Sequence, residues 1–117
     1  MDQKTQPVLS VVFYRTNANR EPVREWLIAL RHEDRKAIGE DIKTAQFGWP
    51  LGMPLIRKLD RDLWEVRSHL PQGIARVLFT VEGSTMVLLH GFIKKSVKTP
   101  ASELQTAQQP IPHLKTE

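Results

Sequence analysis

Apolar and polar positions follow two rhythms along this chain, a helical one near the N-terminus and a strict alternation through the second half. The β-branched and aromatic run VLSVVFY, residues 8–14, predicts a buried strand, and polar RTNANRE ends it. In EPVREWLIAL, Pro22 suits a first helical position, and Val23, Trp26, Leu27 and Leu30 follow at i, i+3, i+4 and i+7 on one helical face. EDRKAIGEDIKTAQFG repeats that spacing with Ile38, Ile42 and Ala45, carries acids in its first turn and closes on Gly48, a residue suited to a C-terminal cap. The two helices are expected to form a hairpin.

WPLGMP, residues 49–54, has two prolines and a glycine and reads as loop. Three runs follow, IRKLDRDLWEVRSHL, GIARVLFTVEG and TMVLLHGFIKK, separated by the turn compositions PQG and EGST, which predicts an antiparallel meander. The first run is long enough to split into two short strands around DRD. KTPASELQTAQ offers a last helix, with Thr99 as its cap, Pro100 at the first position, Glu103 near the positive end, and Leu104 and Ala107 on a narrow apolar side. Residues 1–108 are expected to make one domain, and residues 109–117, with two prolines and no pattern, a disordered tail. The order predicts an α+β fold: a mainly antiparallel sheet, two N-terminal helices packed on one of its faces, and a short C-terminal helix.

Composition narrows the possible functions. At 117 residues the chain suffices for one domain that buries roughly two-thirds of its unfolded surface. It has no cysteine, which removes disulfide and thiol chemistry, and no apolar run near the roughly 18 residues of a membrane span. The N-terminus lacks a basic segment followed by an apolar one, so a cytoplasmic location and no membrane partner are expected. Net charge is +4, and all of that excess falls between Pro54 and Lys98, where eight Lys or Arg face four acids. The sheet, in other words, carries the positive charge.

Alternation divides each strand into two sets. Trp64, Val66 and Leu70, then Ala75, Val77, Phe79 and Val81, then Val87, Leu89 and Ile93 are the apolar sets expected to face the helices. Glu65, Arg67, Arg76, His90, Phe92 and Lys94 then project from the other, open face, in the company of Met86 and Leu88. Two arginines, a histidine and a lysine side by side repel one another unless an anion occupies the surface, and a polyphosphate fits. Plainer roles exist for the same residue types: solubility for Lys95 and Lys98, pairing with Glu65 for Arg67 and Arg76, and a satisfied half-buried ring for His90.

Metal and nucleophile chemistry finds little support in these residues. The four histidines have no close ligand spacing, the acids of the sheet segment are outnumbered, and no G-x-S-x-G, G-x-x-x-x-G-K or G-x-G-x-x-G pattern occurs. Cations and one titratable group still suffice to cleave RNA, because RNA supplies its own 2′-hydroxyl nucleophile. Arginines can grip phosphoryl oxygens, His90, Lys94 or Glu65 could move protons, and Phe92 could stack on a splayed base.

At these residues the sequence resembles a known family. Leu63 to Ala107, with LWEVR, ARVLF, LLHGFIKK and KTP leading into E-x-x-x-A, together with upstream EPVREWLIAL and PLIRKL, resembles the phage-related HigB-like branch of the RelE superfamily, toxins of bacterial type II toxin–antitoxin modules. The resemblance implies a small RelE-like fold and an mRNA interferase, an endoribonuclease that needs no metal or cofactor, cleaves mRNA in the ribosomal A site, blocks translation and arrests growth. It implies a cognate helix-turn-helix antitoxin as partner, beside ribosome and mRNA, with DNA contacted only through the antitoxin complex. Carried over residue by residue, Arg67, Arg76, His90 and Lys94 would be catalytic, the two arginines on the scissile phosphate. Arg57, Lys58, Phe92, Lys95 and Lys98 would hold RNA. Several RelE toxins use a tyrosine near the C-terminus, whereas the only tyrosine here is Tyr14. The alternative is an inactive RelE-fold module that binds an antitoxin or RNA.

Overall fold

A computed structural model describes residues 6–115. The chain runs β1 (Ser10–Phe13), α1 (Pro22–Ala29), α2 (His32–Gly48), β2 (Ile56–Asp60), β3 (Leu63–Leu70), β4 (Gly73–Glu82), β5 (Thr85–Lys94), α3 (Ala101–Gln108) and α4 (Ile111–Lys115). One five-stranded sheet has the order β1-β5-β4-β3-β2, with β1 parallel to β5 and every other pair antiparallel. The result is the expected α+β fold, compatible with a small RelE-like one. Among the described residues, no helix is long and apolar enough to cross a membrane.

Local chemistry explains most of the boundaries. Pro22 starts α1 behind extended Glu21, and the chain leaves the helix at extended Leu30. The run around DRD does divide, and Asp62 takes the left-handed conformation (φ 57°) that reverses the chain between β2 and β3. Gly83 does the same between β4 and β5 (φ 62°). Gly48 is the last residue of α2 and not its cap, which is Trp49.

The first core lies between the sheet and the two N-terminal helices. Val23, Ile38, Ile42 and Ala45 pack on Val66, Ala75, Val77, Phe79, Met86 and Leu88, and a cluster of Trp49, Trp64 and Phe79 rings closes one end. α1 lies over β5 and β1 while α2 lies over β3, so each helix packs chiefly on the sheet and not, as a hairpin would, on the other. A Cβ on Gly91 would stand 2.4 Å from the Trp26 ring, so this position of β5 admits only glycine beneath α1.

Further expectations change. β1 is an edge strand and not a buried one, with Val12 46% exposed, because among the described residues β5 is its one neighbour in the sheet. The register between β4 and β5 shifts by one after the Leu78–His90 pair, so that Phe79 faces Leu88 and Leu89 is the extra residue of a bulge. Met86 and Leu88 therefore join the helix face, and Val87 and Leu89 turn to the opposite one; beyond the bulge His90, Phe92 and Ile93 lie as alternation predicts. That opposite face is not open. Leu63, Leu78, Val87, Leu89 and Phe92 form a second core with Leu104 and Ala107 of α3 and with Ile111 and Leu114 of α4, a helix within the segment expected to be a disordered tail. Finally, Thr99 does not cap α3: its hydroxyl donates to Glu65, and Pro100 holds the cap position.

Candidate active site

The cross-strand register assembles the charged residues. Arg57 of β2 stands opposite Glu65 of β3, Arg67 of β3 opposite Arg76 of β4, and Arg76 opposite Phe92 of β5, which puts all five on the face that α3 and α4 cover. His90 lies two residues from Phe92 on the same face, the rings 5.6 Å apart, and the Arg76 guanidinium sits 5.9 Å from the Phe92 ring. The shared face inferred from alternation thus holds for Glu65, Arg67, Arg76, His90, Phe92 and Lys94.

Burial of this group is the surprise. Glu65 and Arg76 are 0% exposed and Arg67 9%. Glu65 lies between the arginines, its oxygens 3.6 Å from Arg67 Nη1 and 4.0 Å from Arg76 Nε, and its Oε1 accepts a 2.7 Å bond from Thr99 Oγ1. Across the arginines runs residues 96–98, an exposed stretch without helix or strand. Arg76 Nη2 donates to the carbonyls of Ser96 and Val97 (3.0 Å for the latter), Arg76 Nη1 to that of Lys98 (3.3 Å), and Arg67 Nη2 to that of Val97 (3.4 Å). Glu65 Oε2 and Arg76 Nε are buried without a hydrogen bond. Desolvation pulls the Arg76 guanidinium below its ordinary pKa; Glu65 opposes that shift, while Arg67 and Arg57 add to it. One carboxylate therefore serves two buried cations, and neutral carbonyls do the rest.

A second group adjoins the first. His90 Nε2 lies 2.5 Å from Glu103 Oε1, and Lys94 Nζ 3.8 Å from Glu103 Oε2, so a single acid on α3 gathers the histidine and the lysine. The carboxylate orients the imidazole and leaves Nδ1 as the ring nitrogen able to meet a substrate. Sequence reasoning missed Glu103 as a site residue and read it only as a favourable charge near a helix N-terminus. The available signal was its place in the E-x-x-x-A pattern that follows HGFIKK.

The remaining expected site residues differ in what surrounds them. Phe92, 8% exposed, is packed in the second core and presents its ring to His90 and Arg76, not to solvent. Lys58 points to the opposite face, its ammonium 5.5 Å from the Trp64 ring. Arg57, Lys98 and Thr99 line a small pocket of about 200 Å³, and Lys95 is exposed beyond the end of β5.

A five-stranded α+β domain with a cationic cluster on one sheet face is the class that fold and site define. Residues 25–111 match the family described as phage-derived protein Gp49-like (DUF891), a span holding every site residue above. The chain belongs to this family, a RelE/HigB-like toxin family. No curated protein matches it.

Proposed function

We propose that the protein is the toxin of a type II toxin–antitoxin module and a metal-independent mRNA interferase that cleaves mRNA on the ribosome. In the reaction the 2′-oxygen forms a bond to the adjacent phosphorus as the bond from phosphorus to the 5′-oxygen breaks. A 2′,3′-cyclic phosphate and a 5′-hydroxyl result; one proton leaves the 2′-hydroxyl and one reaches the departing oxygen. Arg67 and Arg76 bind the phosphoryl oxygens, Lys94 offsets developing charge, and His90, oriented by Glu103, moves a proton. Arg57, Lys95 and Lys98 hold flanking RNA, Lys58 on the opposite face meets the ribosome, and Phe92 supports Arg76 and His90 from beneath. The partners are a cognate helix-turn-helix antitoxin, the ribosome and mRNA.

The observation that carries this reading is the bonding of Arg76: its Nη groups meet only backbone carbonyls and its Nε meets none. A phosphate in place of those carbonyls adds an opposite charge to bonds the guanidinium already makes and can accept two of them in a bidentate fork. Residues 96–98 must swing aside for this, and they are exposed and outside any regular element. Membership of a toxin family supports the same conclusion.

The burial of Arg76 also favours a second reading, in which the guanidinium is only a pin for the C-terminal segment and the protein is an inactive binding module. Induction of the wild type, His90→Ala and Arg76→Lys in bacteria, with mapping of mRNA 5′ ends, separates the two. New ends within translated codons, for the wild type alone, are expected. A folded wild type that yields no new ends leaves the binding module standing.

A further inference from the structure

A cavity of about 610 Å³ opens beside His90, between the end of β1, the loop that follows it, and the C-terminal helices. Its volume falls in the range of roughly 300–1,000 Å³ usual for small-ligand sites. Tyr14, Arg15 and Asn17 form one wall, His90 the floor towards β5, and Gln109 and His113 the opposite wall. The first wall is held in shape by a turn in which the amide of Asn19 donates to the Thr16 carbonyl and that of Thr16 to the Arg20 carbonyl. Arg15 is fixed by Glu21 at 3.2 Å.

The lining suits one class of ligand. Tyr14 and the two imidazoles offer flat faces on which a base can stack, and the amides of Asn17 and Gln109 each present the paired donor and acceptor that a base edge needs. Arg15, paired with Glu21, is the one permanent charge of the lining, and no carboxylate lines the cavity among the described residues. The position fits as well. His90 belongs both to this cavity and to the row that leads through Phe92 to Arg76. β1 lies two strands from β4, roughly 10 Å, a distance that a short stretch of single-stranded RNA spans.

We infer that this cavity is the base subsite for the nucleotide whose 2′-hydroxyl attacks, and that it sets the base preference of cleavage. The inference rests on the ribonuclease reading for the identity of its ligand. Tyr14 supplies a direct test, because as the only tyrosine it gives a single ¹⁹F resonance when the full chain is made with 3-fluorotyrosine. The probes are the four ribonucleoside 3′-monophosphates, which carry their phosphate on the side facing His90. At millimolar concentration at least one is expected to shift that resonance saturably, and Asn17→Ala and Gln109→Ala each to weaken the response about two- to tenfold. Inorganic phosphate alone is expected to leave it in place.

No shift with any nucleotide overturns the inference, and that is also the result if the cavity receives a side chain of a protein partner instead. The same shift with phosphate alone overturns it too, by reducing the cavity to an anion site. The arms separate from the ribonuclease reading: mRNA cleavage without a ¹⁹F shift removes the subsite and keeps the enzyme. A shift without cleavage keeps a nucleotide site and removes the enzyme.

Discussion

The two faces of the sheet are closed by opposite means. Under α1 and α2 the contact is hydrocarbon on hydrocarbon, with Phe79 and Ile38 fully buried, and any opening exposes apolar surface to water. Under residues 96–108 the apolar contacts are fewer, and the centre is held by guanidinium-to-carbonyl bonds and the Thr99–Glu65 bond. Those bonds, made by residues 96–99, can be exchanged, one acceptor for another, while Leu104 and Ala107 stay on the second core. The first face is a foundation, and the second can act as a cover.

Three substitutions test that contrast. Phe79→Ala, in the middle of the first face, is expected to cost about 3–5 kcal/mol. Urea unfolding measures the loss, and hydrogen exchange should quicken in every strand at once. Thr99→Val, isosteric but unable to donate to buried Glu65, is expected to cost about 1–3 kcal/mol. Here the quickening should be confined to residues 96–108, with α1 and α2 still protected; protection lost across the whole sheet would show that the cover is part of the foundation. Glu103→Gln should change stability least, by about 0–1 kcal/mol, since the pair with His90 is partly exposed. Its mark should appear instead in mRNA cleavage, expected to fall about a hundredfold if Glu103 positions a proton-moving His90. Restoration of the rate by Glu103→Asp would support positioning over mere packing.

Much of this was legible in the residues, and the limits have physical causes. The helix spacing marked Val23, Trp26, Ile38, Ile42 and Ala45 as core, and alternation placed Arg67 and Arg76 together, because in both cases polar and apolar residues differ on the two sides. In Met86–Leu89 all four residues are apolar, so the sequence holds no record of which side each faces, and the bulge went unseen. The cover was invisible for another reason: it grips the arginines with backbone carbonyls, which every residue has. Thr99 satisfied the rule for a helix cap and was claimed by a buried carboxylate instead. The partnership of Glu103 with His90 depends on where α3 lands, and no local pattern reports that.

The bulge at Leu89 also bears on how this chain can change over generations. Loss of one codon from a regular strand rotates everything beyond it to the wrong side. In β5 the irregularity separates a stretch that is hydrocarbon on both sides from one that carries His90, Phe92 and Lys94. Removal of Leu89 restores a regular ladder in which Leu78 still faces His90 and Phe79 still faces Leu88, so Met86–Leu88 and His90–Lys94 all keep their sides. The strand thus tolerates a frame-preserving deletion in its first half that would be ruinous in its second.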